Sequence, residues 1–294
     1  MAPARPPSVS ATFLRDACVL GLLAALACGL ASCSTHAPVS TPTSSASPGK
    51  GGLAWMMTRA ALSQMVTDPT VRAQLEASQV YEILQPGQRP LATVGAIPVV
   101  TFSAVSDLEQ AVTGNQLPAG TQAVLYDPEV WSYTPAAEQR DPAQAAQQAL
   151  GIAHAHGLKL IVAPALNLAT VQPSSGPRWQ QFLHLGLAGA IAKVSDVIEL
   201  QAQSLERHAG TYAEFVRAAA AQARAANPKV SVLAGLSTNP PGAPVSSQQL
   251  VAAIRATSGI VAGYWLNIPG RGSRCPTCNA TRPDIGRQTL REIS

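Results

Sequence analysis

The sequence predicts an α/β fold of parallel strands wound toward a barrel, although eight strands cannot be counted in it. Short apolar runs alternate with helix-patterned stretches along most of the chain, and a helical crossover returns the chain to the same end of a sheet, which makes the strands parallel. About 240 residues remain once an amino-terminal leader and the polar stretch after it are set aside, enough for one barrel-sized core. The alternative is an open doubly wound parallel sheet. No glycine-rich dinucleotide fingerprint follows any strand, so that arrangement loses its usual cofactor signature and no cofactor is expected.

Residues 1–32 have the layout of an export signal: Arg5 and Arg15, an apolar run from Ala17 to Ala31, and small residues at the end. The run is too short to span a membrane permanently. It closes in Leu30-Ala31-Ser32-Cys33, which resembles the bacterial lipobox. The resemblance implies acylation of Cys33 and a chain held to the outer face of the cell membrane, with plain secretion as the alternative. Cys28 follows Ala25-Leu26-Ala27, a poorer match, and Asp16 departs from the pattern at the start of the apolar run. Residues 33–52 are rich in Ser, Thr, Pro and Gly and cannot bury enough apolar surface to offset their ordering entropy. They read as a tether reaching on the order of 25 Å. Residues 53–294 then form one domain.

Within that domain Trp55 to Gln74 reads as helical packing at the barrel's bottom or flank, and Tyr81 to Leu84 as a candidate strand. Val99–Phe102 and Ala123–Tyr126 are strands separated by a helix from Ser106 to Val112. Asp141 can cap a helix that has Pro142 in its first turn and Gly157 at its end. Strands follow at Lys159–Ala163 and Asp196–Gln201. Thr211 and Glu214 have capping-box spacing at the head of a helix that stops at Asn227-Pro228. Val230–Leu233 is the next strand, Ser246 and Gln249 repeat the capping-box spacing, Ile260–Leu266 is the last strand, and Thr281–Glu292 the closing helix.

Chemistry in a parallel barrel collects at the carboxyl ends of the strands. Asp127, Glu129 and Trp131 follow one strand, Asn167 the next, and Glu199, Gln201 and Gln203 close the one after. Asn239 follows the fifth, while Tyr264, Trp265 and Asn267 end the sixth. Alternation puts Val197, Glu199 and Gln201 on one face and Asp196, Ile198 and Leu200 on the other. The aliphatic face suits the helices, so Glu199 turns inward, where a carboxylate is costly unless paired or used. A structural ion pair and a catalytic role both remain open for it. Asp127 and Glu129 are candidates for a second carboxylate or ordinary turn residues. Trp131 and Trp265 offer flat faces for a ring or serve as core.

Removing the leader takes the 20 basic and 16 acidic side chains to 18 and 15, and no basic stripe interleaved with aromatics occurs, so nucleic acid is not an expected partner. His154 and His156 lie two apart on a helix and cannot share a metal; no His-Glu-x-x-His occurs and no metal site is expected. Cys275-Pro276-Thr277-Cys278 reads as a disulfide in an oxidising compartment. Zinc would need ligands from elsewhere, and a redox pair would need an activated first cysteine.

The strand-end carboxylates and the Tyr-Trp pair resemble, in layout, the TIM-barrel glycoside hydrolase superfamily over Ile97 to Asn267. The Asp-x-x-Asp-x-Asp-x-Glu motif of chitinase-type barrels is absent, and no tandem Asn-Glu pair ends the strand that carries Glu199. The segments YDPEVWSYTPAAEQRDP, DVIELQAQSLER and AGLSTNPPGAP also resemble uncharacterised exported proteins of actinobacteria, which implies no activity. The layout resemblance implies a carbohydrate or cell-envelope polymer as partner and glycoside hydrolysis as reaction. Glu199 would be the acid/base and Asp127 or Glu129 the second carboxylate. Trp131, Asn167, Gln201, Asn239, Tyr264, Trp265 and Asn267 would bind the ligand. A noncatalytic ligand-binding lipoprotein on the same scaffold is the alternative.

Overall fold

Eight parallel strands close into a barrel in chain order, in a computed structural model that describes residues 52–173, 175–241, 244–272 and 275–293. The expectations for the leader, for Cys33 and for the tether lie outside the described residues. The strands are β1 (Ala54–Thr58), β2 (Val80–Leu84), β3 (Ile97–Phe102), β4 (Ala123–Tyr126), β5 (Lys159–Val162), β6 (Val197–Leu200), β7 (Ser231–Ser237) and β8 (Gly263–Asn267). Each pairs with the next, and β8 pairs with β1 through Trp55 opposite Tyr264, so no edge remains and the open-sheet alternative is overturned.

Two differences from the sequence expectation have a common cause. Ala54–Thr58 is a strand rather than the start of a helix. Of its Ala-Trp-Met-Met-Thr sequence only Thr58 is β-branched, yet β2 and β8 hold it on both sides, and pairing overrides the weak strand preference of Ala and Met. Thr58 then caps the helix Arg59–Met65 by accepting the Ala61 N–H at 3.2 Å. β7 runs on through Ala234-Gly235-Leu236-Ser237 because β8 pairs with it to Asn267, although Ala and Gly are weak strand formers.

Helix signals fared unevenly. Ser246 and Gln249 form the expected capping box. Thr211 and Glu214 do not, because the helix Ala209–Ala226 starts earlier, behind His208 and without a side-chain cap. His154 Nε2 lies 2.9 Å from Asp196 Oδ2, which also accepts the Leu160 N–H at 2.8 Å. That histidine ties a helix to the strand layer.

Strand alternation divides the core in two. Met56, Ile83, Val99, Leu125, Ile161, Val197 and Leu233 fill the barrel, while Trp55, Leu84, Val124, Ile198 and Leu266 face the helices. A Cβ on Gly263 would run into the backbone of Ala54, so the closing seam between β8 and β1 depends on a glycine there.

Candidate functional site

The loops at the carboxyl ends of the strands surround a cavity of about 850 Å³, the place where parallel barrels gather ligand-facing side chains. Asp127, Glu129, Trp131, Asn167 and Gln201 line it, together with Trp265 and Asn267.

The β4 loop supplies the acids and is held from several sides. Asp127 N–H donates to Phe102 O at 2.9 Å, continuing the β3–β4 ladder. Val130 N–H donates to Asn167 Oδ1 at 3.0 Å, so the Asn167 side-chain oxygen braces the loop from the end of β5. Trp131 Nε1 donates to Thr134 Oγ1 at 2.8 Å, and Gln139 Nε2 donates to the carbonyls of Trp131 and Thr134 at 2.9 and 2.7 Å. Trp131 meets Tyr133 edge to face with centroids 5.2 Å apart. A loop bonded this way presents its carboxylates without reordering, which lowers the entropic cost of binding.

Glu199 points into the barrel, as alternation along β6 requires, but it does not reach the cavity wall. It is fully buried, and neither carboxyl oxygen has a hydrogen-bond partner among the described residues. Among the described residues no Arg or Lys pairs with it. Burial holds its carboxyl well above the usual carboxylate range, and the charges of Asp127 and Glu129 push it further the same way. It is therefore an acid biased toward its protonated form, beneath the carboxylates of the mouth. The fully buried Glu82 provides the contrast, since it faces the helices, accepts the Leu91 N–H at 2.9 Å and lies 3.9 Å from Arg59.

Two expected ligand contacts are corrected. Tyr264 is on the outer face of β8: its hydroxyl lies 2.8 Å from Thr257 Oγ1 and donates to Ile254 O at 3.1 Å, and its ring packs 5.8 Å from Trp55. Alternation forbids Tyr264 and Trp265 from sharing a face, and Trp265 holds the inward position. Asn239 is buried, and its Nδ2 approaches Pro269 O, Asn279 O and Ala280 O at 3.3 to 3.4 Å. It fixes the loop after β8 and does not line the cavity. In that loop Cys275 and Cys278 form a disulfide with Cα atoms 5.3 Å apart, and both border the cavity.

Sequence reasoning placed Gln203 among the polar residues at the end of β6 without giving it a role, and missed Glu206, Arg178 and Trp179. Gln203, Arg178 and Trp179 line the cavity. Glu206 is buried in the loop after β6, accepts the Ser237 N–H at 3.1 Å, and has its carboxyl pushed up to about 7 by burial. The signal available was an acid past the end of a strand already carrying Glu199, but it fell beyond the strand-end positions. Trp179 sits on the short helix Arg178–His184, for which no strand-end rule applies. Among the described residues, no group of three or more His, Cys, Asp or Glu side chains could hold a metal ion.

No protein family and no curated protein sequence matches the chain. Solved structures that resemble it include the glycoside hydrolase domain of PgaB (BpsB) from Bordetella bronchiseptica, at 11% identity over 75% of this chain and 78% of that one, TM-score 0.34. A sugar phosphate isomerase/epimerase from Parabacteroides distasonis is 10% identical over 87% and 98%, TM-score 0.34. Fungal beta-1,4-galactanases are 9% identical over 74% and 76%, TM-score 0.34. Likeness this distant carries no inference about chemistry; the closed ring of strands defines the fold.

Proposed function

We propose that the chain is an exported, membrane-tethered barrel that binds carbohydrate at its mouth and hydrolyses a glycosidic bond there. In this reading residues 1–32 are removed, Cys33 carries lipid, residues 33–52 form the tether, and residues 53–294 form the working domain. The observation that supports the ligand class is the composition of the cavity wall: Trp131, Trp179 and Trp265 with the carboxylates of Asp127 and Glu129 and the amide of Gln203. Flat apolar faces beside acceptors and amides match a sugar ring, which has apolar faces and a rim of hydroxyls.

The hydrolytic part rests on three carboxyls in one electrostatic neighbourhood. Glycoside cleavage needs one carboxyl to protonate the leaving oxygen and one to attack or to activate water, and environments that push two such groups apart in acidity serve both roles. Burial first, and then the charges of Asp127 and Glu129, raise the Glu199 carboxyl well above the usual carboxylate range. Asp127 and Glu129 line the cavity and are placed to meet a sugar.

A noncatalytic binder is the second reading, favoured by one observation. Glu199 is sealed below the cavity floor, and the two carboxylates that do reach the cavity come from a single loop. Incubating the protein with envelope and plant polysaccharides and assaying reducing ends separates the two. Release that falls about a hundredfold in Asp127→Asn or Glu129→Gln, with folding intact, supports hydrolysis. Saturable binding with no release supports the binder, and no binding at all removes both.

A further inference from the structure

The loop leaving β6 is fixed at both ends. Ala202 N–H donates back to Leu200 O at 2.6 Å, and Ser204 adopts φ 83°. Beyond it, Glu206 accepts the Ser237 N–H at 3.1 Å and so pins the loop to the end of β7. Gln203 lies between these points, and its side chain is carried onto β7 at Gly235. A Cβ at position 235 would lie 2.5 Å from both Nε2 and Oε1 of Gln203. The amide therefore rests in space that any side chain at 235 would fill. The strand cannot recede, because Tyr212 donates its hydroxyl to Gly235 O at 3.1 Å from the helix side and Gly235 is in register with Trp265 on β8.

Two glutamines in this loop have different uses. Gln201 donates Nε2 to Asp127 Oδ1 at 2.7 Å and to Ala163 O at 2.8 Å, which spends both amide hydrogens inside the protein. Gln203 is half-buried, lines the cavity, and has no hydrogen-bond partner among the described residues. We infer that Gln203 is the ligand-reading amide of the mouth, positioned by Gly235. It accepts from one hydroxyl and donates to its neighbour on a sugar ring that carries two adjacent hydroxyl groups. A primary amide holds a donor and an acceptor in one plane, and a vicinal diol presents both complements. Gly235 acts through Gln203 and does not touch the ligand. The inference rests on the carbohydrate reading of the cavity.

The test is calorimetric titration of the full-length chain with soluble tetrasaccharides of glucose, galactose and N-acetylglucosamine, with melting temperatures recorded beside it. Gln203→Ala is expected to weaken the tetrasaccharide that binds by about tenfold or more, the loss of two modest hydrogen bonds, with melting unchanged. Gln203→Glu, which keeps the acceptors but loses the donor, is expected to weaken it as well. Gly235→Ala should weaken binding comparably. The double variant should bind no worse than Gln203→Ala alone, because the added methyl then has no amide to displace. If Gly235→Ala fails to fold, the two Gln203 variants still decide. Binding by the parent with unchanged affinity in Gln203→Ala overturns this inference and leaves the carbohydrate reading standing; failure of the parent to bind any of the tetrasaccharides overturns both.

Discussion

Gln201 Nε2 donates to Asp127 Oδ1 at 2.7 Å, so the end of β6 reaches past β5 to hold the carboxylate at the end of β4. The same amide donates to Ala163 O on the intervening segment, at 2.8 Å. One side chain thereby sets the orientation of the acid most deeply placed at the cavity.

Gln201→Leu removes the donor to both acceptors in a partly buried site, which should cost about 1–3 kcal/mol and lower the melting temperature by several degrees. Gln201→Glu should cost more at neutral pH than near pH 4, because a second carboxylate then faces Asp127. Thermal unfolding at the two pH values measures both. Parent-like melting for both variants would mean that the bond does not hold Asp127.

Glu199 makes a pH-dependent prediction. Its folded-state acidity is weakened relative to the usual value of 4.5, so between that value and the raised one the folded chain binds more protons than the unfolded chain. Stability must then fall as pH rises. Glu199→Gln cannot ionise, so its melting temperature relative to the parent should climb as pH rises above the usual carboxylate value of 4.5. Glu206, pushed up to about 7, has the same sign over its own window between the usual 4.5 and that value, so Glu206→Gln should show a similar trend that levels off above about pH 7. A difference between variant and parent that stays constant as pH rises would contradict the raised Glu199 carboxyl.

The Cys275–Cys278 bridge closes a very short loop beside the cavity. Such a loop is worth about 2 kcal/mol at most in chain entropy, so Cys275→Ser with Cys278→Ser should melt only slightly below the parent. Ligand affinity should change more than stability, since the bridge shapes the cavity rim. Non-reduced peptide mass spectrometry should recover the two cysteines linked, and free thiols on protein taken from its native compartment would refute the pairing.

Lipidation at Cys33 is tested by acyl labelling. Cys33→Ala should abolish the label and release the protein from the membrane fraction, whereas undiminished labelling would move the anchor elsewhere.

Periodicity made much of the barrel legible. Alternation along Val197, Glu199 and Gln201 placed Glu199 inward before any pairing was known, and the strand-end rule found Asp127, Glu129, Trp131 and Trp265, all of which border the cavity. These are local properties, carried by neighbours within a few residues. β1 could not be read in this way, because Ala54–Thr58 is a strand by virtue of β2 and β8 on either side. Closure likewise depends on Ala54 meeting Gly263 across nearly the whole domain. The fate of polar groups was decided by long-range contacts as well. Asn239 is spent on the loop after β8, Asn167 Oδ1 on the β4 loop, and Glu206 on the Ser237 N–H. Composition says that these side chains must find partners. Only the packing of distant loops over the strand ends decides which are bound within the protein and which, like Gln203, face the cavity with hydrogen bonds still to make.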